Sequence, residues 1–233
     1  MAMKTDFETY KDTYKCDVES SIAFVGQDLD FFTGVKARHL LALTQKYLGD
    51  PEKLSVLDVG CGVGETDRFL ISKFKTLHGV DIAEGVIAEA KRKNPSAHYQ
   101  LYDGAVLPFH DNTFDLVFAI CVIHHVSPQS WSSFTSEMRR VVKKGGLVII
   151  FEHNPFNPLT RLAVDRCEFD ADAVLLKRSR VARLLTENSL NLVERRFILF
   201  FPWRSSVLAG IERGLTWLPL GAQYYAAGQK VAD

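Results

Sequence analysis

The feature that most constrains the fold of this sequence is a series of five short apolar segments separated by stretches with helical periodicity. The segments are residues 54–59, 76–81, 97–102, 114–121 and 147–151. Each has the length of a buried strand, and between them apolar side chains recur every three or four residues, as on one face of a helix. Such alternation of strands and helices predicts a parallel sheet with helices on both faces. We therefore expect an α/β fold.

The segments on either side of this core indicate how the fold is completed. Residues 1–53 lack strand signals and have helical periodicity over residues 31–48, which predicts a helical cap over the carboxyl edge of the sheet. At 233 residues the chain has the size of one domain. We expect this cap, then a core of residues 54–152, and then residues 153–233, which complete the sheet and build a binding pocket. Within that last segment the pattern predicts a helix over 178–190, a helix-like stretch over 205–218, and strands over 191–201 and 222–231.

Composition and charge exclude several classes of protein. Lys plus Arg and Asp plus Glu both total 28, and this neutral balance disfavours a protein that binds nucleic acid through its phosphates. The four cysteines, Cys16, Cys61, Cys121 and Cys167, show no disulfide or metal-ligand spacing. No apolar signal core begins the sequence, and no run approaches the ~18 apolar residues of a membrane span. The sequence predicts a cytoplasmic protein with no transmembrane segment.

The first strand ends in a glycine-rich turn that indicates a nucleoside cofactor. Residues 56–64 read VLDVGCGVG and place Gly60, Gly62 and Gly64 between a strand and a helix. Glycines at this point let the backbone approach a ligand closely. Asp81 ends the next strand, where a carboxylate accepts hydrogen bonds from the ribose hydroxyls of a bound nucleoside.

Three acidic residues favour S-adenosylmethionine over a dinucleotide. Glu65 stands where a dinucleotide turn would need glycine or alanine, and its charge would repel a pyrophosphate. Asp58 lies two residues before the first glycine and suits a cationic ligand with an amino group. Asp103 follows the third strand, where a carboxylate is placed to accept from an adenine amino group. An NAD-dependent oxidoreductase is thereby disfavoured.

Four motifs in order resemble those of class I S-adenosylmethionine-dependent methyltransferases, most closely the small-molecule branch that includes ubiquinone and menaquinone biosynthesis enzymes. They are VLDVGCGVGET, GVDIAEGVIAEAK, YDGAVLPFHDNTFDLVFAICVIHHV and RRVVKKGGLVIIFEHNP. The resemblance covers roughly residues 54–154. It implies a Rossmann-like, doubly wound, mostly parallel sheet of seven strands whose last strand is antiparallel, with residues 191–201 and 222–231 as the sixth and seventh strands.

The same resemblance assigns residues to the methyl donor. It implies that Gly60, Gly62 and Gly64 line the methionine portion, that Asp81 binds the ribose, and that Asp103 with Gly104 binds the adenine. The backbone of Ile120 and Cys121 would pass beside the methionine portion. Together with Asp58, Cys61 and Ile82, these residues form the predicted cofactor site, and the product is S-adenosylhomocysteine. Tyr14 in the cap is expected either to close over the donor or to pack on the sheet edge.

Histidines supply the candidate groups for the acceptor side. His124, His125 and His153 follow the fourth and fifth strands, near the expected position of the sulfonium. Each is a candidate general base or acceptor contact, because a hydroxyl acceptor needs a base near neutral pKa, and a structural role in the loop is the alternative for the pair. No acidic residue at helical spacing accompanies them, so no metal site is predicted. Lys36, with Arg38 and His39, is expected to be a solvated helix charge more than a ligand of the methionine carboxylate.

We therefore expect an enzyme that transfers a methyl group to an O, N or C nucleophile of a small molecule. Methylation of a macromolecule (a tRNA, protein or glycan) is the alternative within the same chemistry, and a binding module that retains the donor site is the non-enzymatic one. The C-terminal third is rich in aromatic residues, at 197–203, Trp217, Tyr224 and Tyr225, which are expected in the core, in the wall of an apolar pocket or in a homodimer interface.

Overall fold

A seven-stranded sheet forms the centre of the computed structural model, which describes residues 14–203 and 206–231. The strand order is β3-β2-β1-β4-β5-β7-β6. Strand β7 is antiparallel to both of its neighbours, and the pairs from β3 to β5 are parallel. The strands are β1 (Ser55–Val59), β2 (Thr76–Asp81), β3 (His98–Leu101), β4 (Phe114–Ile120), β5 (Val142–His153), β6 (Leu190–Ile198) and β7 (Gln223–Lys230).

The order reverses between β1 and β4, which both pair with their neighbours in parallel. In an open α/β sheet, ligands bind outside the carboxyl ends of the strands at such a switch point. The predicted fold class is confirmed, including the antiparallel last strand.

Helices cover both faces of the sheet. They are α1 (Tyr14–Ile22), α2 (Leu29–Tyr47), α3 (Asp67–Leu70), α4 (Glu84–Lys93), α5 (Trp131–Val141), α6 (Pro158–Arg166), α7 (Arg178–Glu187) and α8 (Ser206–Leu215). Local sequence explains several of their starts. Asp28 caps α2 by accepting a hydrogen bond from the Phe31 amide at 2.8 Å, and Asn157 caps α6 by accepting one from the Thr160 amide at 2.9 Å.

Two apolar cores lie on opposite faces of the sheet. One contains side chains of α2 and α4 packed on the strands, and the other contains side chains of α5 and α7. Helix α2 therefore contributes more than a cap, because Leu40 and Leu43 are buried in the same cluster as Leu116 and Leu147 of the central strands. Of the N-terminal segment, α1 and the 3-10 turn that follows it lie at the candidate site described below.

The fifth strand is longer than the sequence pattern predicts. The pattern predicts a strand over residues 147–151, but α5 ends at Val141 and β5 begins at Val142, so the glycines at 145 and 146 lie inside the strand. Val142 pairs with Phe114, and the register shifts before Leu147 pairs with Leu116. A side chain at Gly146 would come within 2.6 Å of the Asp115 carbonyl oxygen, so this irregular stretch of β5 requires a glycine.

Candidate active site

The glycine turn, residues 60–64, lies at the carboxyl end of β1 as the sequence predicts. The amides of Gly60 and Cys61 donate to the Val80 carbonyl at 2.8 and 3.0 Å, which ties the turn to β2. Gly60 has a left-handed backbone with φ of 78°, and a Cβ atom there would lie 2.6 Å from both γ-carbons of Val122. The turn is thus packed closely against the loop that follows β4.

Gly62 occupies a different environment within the same turn. Its backbone is also left-handed, with φ of 52°, but no atom lies within 4 Å of the position that a Cβ would take. Its amide donates to Asp81 Oδ2 at 3.0 Å, while Asp81 Oδ1 accepts from the amides of Ile82 and Ala83 at 2.7 and 3.2 Å. One carboxylate therefore holds the glycine turn against the end of β2 and leaves open space above Gly62.

Behind the turn, two buried carboxyl groups face one another. Burial and the neighbouring Asp67 and Asp81 raise the pKa of Asp58 well above its usual range, and burial raises the pKa of Asp67 to about 6. Asp67 Oδ2 accepts from the Tyr99 hydroxyl at 2.7 Å, but Asp58 Oδ1 and Asp67 Oδ1 have no hydrogen-bond donor among the described residues. Such a pair favours a bound cation or ammonium group, which fits the amino group of the methyl donor.

Asp103 and Ile82 lie at the outer end of the candidate donor site. Asp103 Oδ1 accepts from the amides of Ala105 and Val106 at 2.8 and 2.9 Å, and these bonds lower the pKa of this exposed carboxylate. Gly104 lies beside Ile82, whose Cγ2 would be 3.3 Å from a Cβ at Gly104. Ile82 is 38% exposed. Its apolar side chain and the Asp103 carboxylate are therefore both accessible to a planar ring that carries an amino group.

The chain leaves β4 through a backbone conformation that is uncommon outside glycine. Ile120 ends the strand half-buried, and Cys121 has φ of 57° while its amide donates to the Phe151 carbonyl at 2.9 Å. A left-handed non-glycine residue costs about 1–2 kcal/mol. Strain of this kind clusters at binding sites. Here it directs residues 122–125 across the glycine turn.

Three basic residues of α2 differ in their exposure to solvent. Lys36, expected to be solvated, is only 7% exposed, and among the described residues we find no hydrogen-bond or ion-pair partner for its ammonium group. Arg38 is exposed as expected. His39 lines a separate cavity against β6, where burial and the charge of Arg38 lower its pKa to about 4. The side chain of Tyr14 lies outside the described residues, and its backbone begins α1.

A second cavity adjoins the candidate donor site, and we call it the histidine cavity. Its volume is about 190 Å³, and Cys121 and Lys36 lie in the wall that it shares with the donor side. Its apolar wall comes from α1 with the turn after it, from α6, and from residues 199–202. Its polar wall holds His124, His125, His153, Asp170 and Gln223. The structure thus brings the three predicted histidines to one cavity.

His124 lies between two carboxylates. Its Nδ1 is 2.7 Å from Glu152 Oε2, and its Nε2 is 3.4 Å from Asp170 Oδ1. Although burial lowers the pKa of His124, the charges of Glu152 and Asp170 raise it well above its usual range. Contacts with the two histidines outweigh burial and lower the pKa of Asp170. With both ring nitrogens engaged, His124 is poorly placed to take a proton from an acceptor.

Burial has the largest effect on the pKa of His125 and of His153. His125 Nε2 is 3.2 Å from Asp170 Oδ1, and burial lowers the pKa of this ring. His153 Nδ1 is 3.3 Å from Gln223 Nε2, and burial lowers the pKa of His153 to about 4. A base is most effective with a pKa near the working pH. These two rings are therefore better suited to hydrogen bonding than to proton removal.

Asp170 is the site residue that the sequence pattern does not identify. It lies in the 3-10 turn Glu168–Asp170, far along the chain from the histidines that it contacts. Glu152 directly precedes His153 in the chain, but its carboxylate contacts the His124 ring and accepts from the Val122 amide at 3.1 Å. The available signal is the pair of acids at Asp170 and Asp172 in a turn-rich segment, which by itself is typical of a solvated loop.

Glu65 is held away from the glycine turn's open side. It forms ion pairs with Lys93 at 2.6 Å and with Arg68 at 3.5 Å, and it is buried. The carboxylate thus links α3 to α4, so its charge is balanced locally. A carboxylate paired in this way would repel a pyrophosphate less than an unpaired one, so Glu65 is weaker evidence against a dinucleotide than its position in the sequence indicates.

Comparison with known proteins agrees with this geometry. Residues 57–150 match the family model described as a methyltransferase domain. The chain is 27% identical over 188 residues to the 2-methyl-6-phytyl-1,4-hydroquinone methyltransferase of Synechocystis sp., which covers 73% of this chain and 58% of the relative. It is 32% identical over 109 residues to the demethylmenaquinone methyltransferase of Beutenbergia cavernae, covering 46% and 45%. The chain spans about half the length of these curated relatives.

Solved structures match over most of the chain. A methyltransferase from Thermotoga maritima, described as S-adenosylmethionine-dependent and a possible histamine N-methyltransferase, superimposes with a TM-score of 0.67 over 96% of this chain and 98% of its own, at 18% identity. An S-adenosylmethionine-dependent methyltransferase from Methanosarcina mazei superimposes with a TM-score of 0.62 over 82% and 98%, at 20% identity. At these identities the likeness is one of fold.

Proposed function

We propose that this chain, a class I S-adenosylmethionine-dependent methyltransferase, transfers a methyl group to an O, N or C nucleophile of a small, largely apolar molecule held in the histidine cavity. The observation that carries the proposal is the position of this cavity. Its lining includes Cys121, which precedes the Val122 that packs on Gly60, and Lys36, whose charge acts on the buried Asp58. A small molecule bound there lies next to the donor site.

The chain's own residues fit the donor. Among the described residues, Asp58 offers a buried carboxyl oxygen without a donor, Gly62 leaves its upper side open, and the buried Lys36 carries a charge that acts on Asp58. We assign these groups to the methionine portion, Asp81 to the ribose, and Asp103 with Ile82 to the adenine. When bound, S-adenosylmethionine supplies a methyl group activated by its sulfonium.

The enzyme's contribution is then to align the acceptor and exclude water, which can supply several kcal/mol of the barrier. We assign His153 and His125 to hydrogen bonds with the polar end of the acceptor, and His124 to holding the loop after β4 through Glu152. The apolar wall contributed by α1, α6 and residues 199–202 would cover the rest of the molecule. The names of similar proteins include a hydroquinone methyltransferase, a demethylmenaquinone methyltransferase and a tocopherol O-methyltransferase, which supports a small-molecule acceptor.

Donor binding is tested by thermal unfolding with S-adenosylmethionine, S-adenosylhomocysteine or NAD. We expect the first two to raise the unfolding temperature and NAD to leave it unchanged. Asp81→Asn should weaken donor binding by about 1–3 kcal/mol, since a charged hydrogen bond is lost. Equal shifts with NAD, or unchanged affinity of the variant, would contradict the donor assignment.

Acceptor class is tested by incubating the enzyme and donor with a prenylated hydroquinone, a catechol, a primary amine and bulk tRNA, with mass spectrometry of the products. We expect methylation among the apolar phenols and none of the tRNA. Methylated tRNA as the preferred product would instead support the macromolecule alternative.

We further propose a cytoplasmic enzyme, supported by the free state of all four cysteines. Among the described residues, no helix is both long and apolar enough to cross a bilayer.

A further inference from the structure

We propose that His124, His125 and Asp170 bind one divalent transition-metal ion in the polar wall of the histidine cavity. The proposal concerns a site beyond the methyl-donor chemistry, and metal binding itself does not depend on the proposed function. Its consequence for an acceptor, which is given below, does rest on that function.

The spacing of the ligand atoms suits a metal. His125 Nε2 and His124 Nε2 lie 3.2 and 3.4 Å from the same atom, Asp170 Oδ1, and one potential ligand atom from each of the three residues lies within 4.8 Å of the other two. Ligands held about 2.0–2.2 Å from a tetrahedral zinc ion are themselves roughly 3.3–3.6 Å apart. The two spacings from Asp170 Oδ1 are therefore close to those between ligands of one ion.

The two contacts with Asp170 are longer than a typical charge-assisted hydrogen bond. A charge-assisted bond between a histidine and a carboxylate is usually about 2.7–2.9 Å long. The contact between His124 Nδ1 and Glu152 Oε2 meets this range at 2.7 Å, whereas the two contacts with Asp170 are longer. Both rings turn Nε2 toward one oxygen atom, which is the arrangement that a shared ion produces.

Glu152 supplies the outer support that metal-binding histidines usually have. Ligating histidines commonly donate their second nitrogen to a carboxylate, which fixes the ring and its tautomer. Glu152 is fully buried, and besides His124 it accepts from the amides of Val122 and His153 at 3.1 and 3.2 Å. The carboxylate is thus immobilised, and His124 is held with Nε2 toward Asp170.

The types of ligand and their position in the cavity wall indicate which metal ions would bind. Two imidazoles and one carboxylate favour zinc, cobalt, iron or manganese over magnesium or calcium, which prefer oxygen ligands. The three residues line the histidine cavity, so a fourth coordination position would face it. If the proposed function holds, an acceptor oxygen bound there would have its pKa lowered without a general base.

Metal binding is tested on chelator-treated full-length protein by calorimetric titration with Zn²⁺ and by the visible spectrum on addition of Co²⁺. We expect one equivalent to bind, with absorption bands of four- or five-coordinate cobalt. Asp170→Asn and His125→Gln should each weaken Zn²⁺ binding by at least ~10-fold, and Glu152→Gln by about 10–100-fold. Glu168→Gln alters an exposed acid in the same 3-10 turn and should leave binding unchanged.

The outcomes separate this proposal from the proposed function. Absence of stoichiometric binding, or equal affinity in the Asp170 and His125 variants, overturns the metal site. Binding of S-adenosylhomocysteine is measured in parallel on the metal-free protein and its variants, whose folding is checked by circular dichroism. Retained donor binding without metal binding leaves the proposed function standing, while metal binding without donor binding leaves the metal site and removes the methyltransferase proposal.

Discussion

Two glycines of one turn show how differently neighbouring residues are constrained. Gly60 and Gly62 both have left-handed backbones, and the sequence motif treats them alike. The space around them differs, because Gly60 faces Val122 and Gly62 faces open space. Packing therefore demands glycine at the first position, whereas at the second we propose that glycine keeps the turn open to a ligand.

This difference gives a prediction at the residue scale. Gly62→Ala should cost only the backbone strain of about 1–2 kcal/mol but should abolish donor binding, because its methyl group fills the open side of the turn. Gly60→Ala should destabilise the fold by more, and Val122→Ala should recover part of the loss. Thermal unfolding and titration with S-adenosylhomocysteine measure the two effects. Normal donor affinity in Gly62→Ala would show that the ligand does not approach this residue.

At the scale of elements, the loop that carries Asp103 depends on helix α5. We define this as the closing loop, residues 102–113. Arg140 donates to the carbonyl oxygens of Leu107 and Phe109 at 2.9 and 2.8 Å, and Glu137 accepts from the Leu107 amide at 2.9 Å. Arg140 also pairs with Glu137 at 2.8 Å. Helix α5 thus fixes the closing loop at residues 107 and 109. Asp103, which we assign to the adenine, lies nearer the start of the same loop.

We expect Arg140→Met to loosen the closing loop and weaken donor affinity several-fold, since two carbonyl groups lose charged donors at a cost of about 1–3 kcal/mol. Hydrogen exchange over residues 102–113 should become faster while the sheet stays protected. Arg92→Met is the matched control, because Arg92 pairs with Glu89 at the same helical spacing but on α4. Unchanged exchange in the Arg140 variant would mean that other contacts hold the loop.

At the scale of the whole molecule, the C-terminal aromatic residues divide into two groups. Tyr224 and Tyr225 are buried in the sheet, so they cannot belong to an interface. Trp203 and Trp217 are 61% and 69% exposed, and Leu220 is 62% exposed. Only this second group remains available for the homodimer that the sequence suggests.

We predict that the protein self-associates through this exposed group. Trp217→Ser should weaken the dimer by about 2 kcal/mol, roughly 30-fold in Kd, because buried tryptophans dominate interface energies. Analytical ultracentrifugation across a concentration series measures this. Phe24→Ser is the control, because it removes an exposed aromatic side chain from the N-terminal segment. Trp131 is not used for this purpose, because its indole donates to the Ile123 carbonyl at 3.0 Å. A wild-type protein that stays monomeric contradicts the prediction.

The sequence by itself determined the alternation of strands and helices and the glycine turn with Asp81, whereas the antiparallel last strand was an implication of the family resemblance. The first two features follow from local periodicity and from motifs whose residues lie on adjacent parallel strands, so their proximity is set by the topology. Strand β5 was predicted too short because Gly145 and Gly146 favour a turn locally, while pairing with β4 extends the strand through them.

Only the tertiary structure decided how the three histidines differ and which charges are buried. Lys36 belongs to a helix whose pattern is compatible with exposure, and its burial results from packing against the cavity wall. Asp170 reaches His124 and His125 because the segment after α6 folds back over the end of β4. Such contacts join residues far apart in the chain and obey no local period. The donor turn could therefore be predicted from the sequence, whereas the chemistry of the histidine cavity depends on the folded chain.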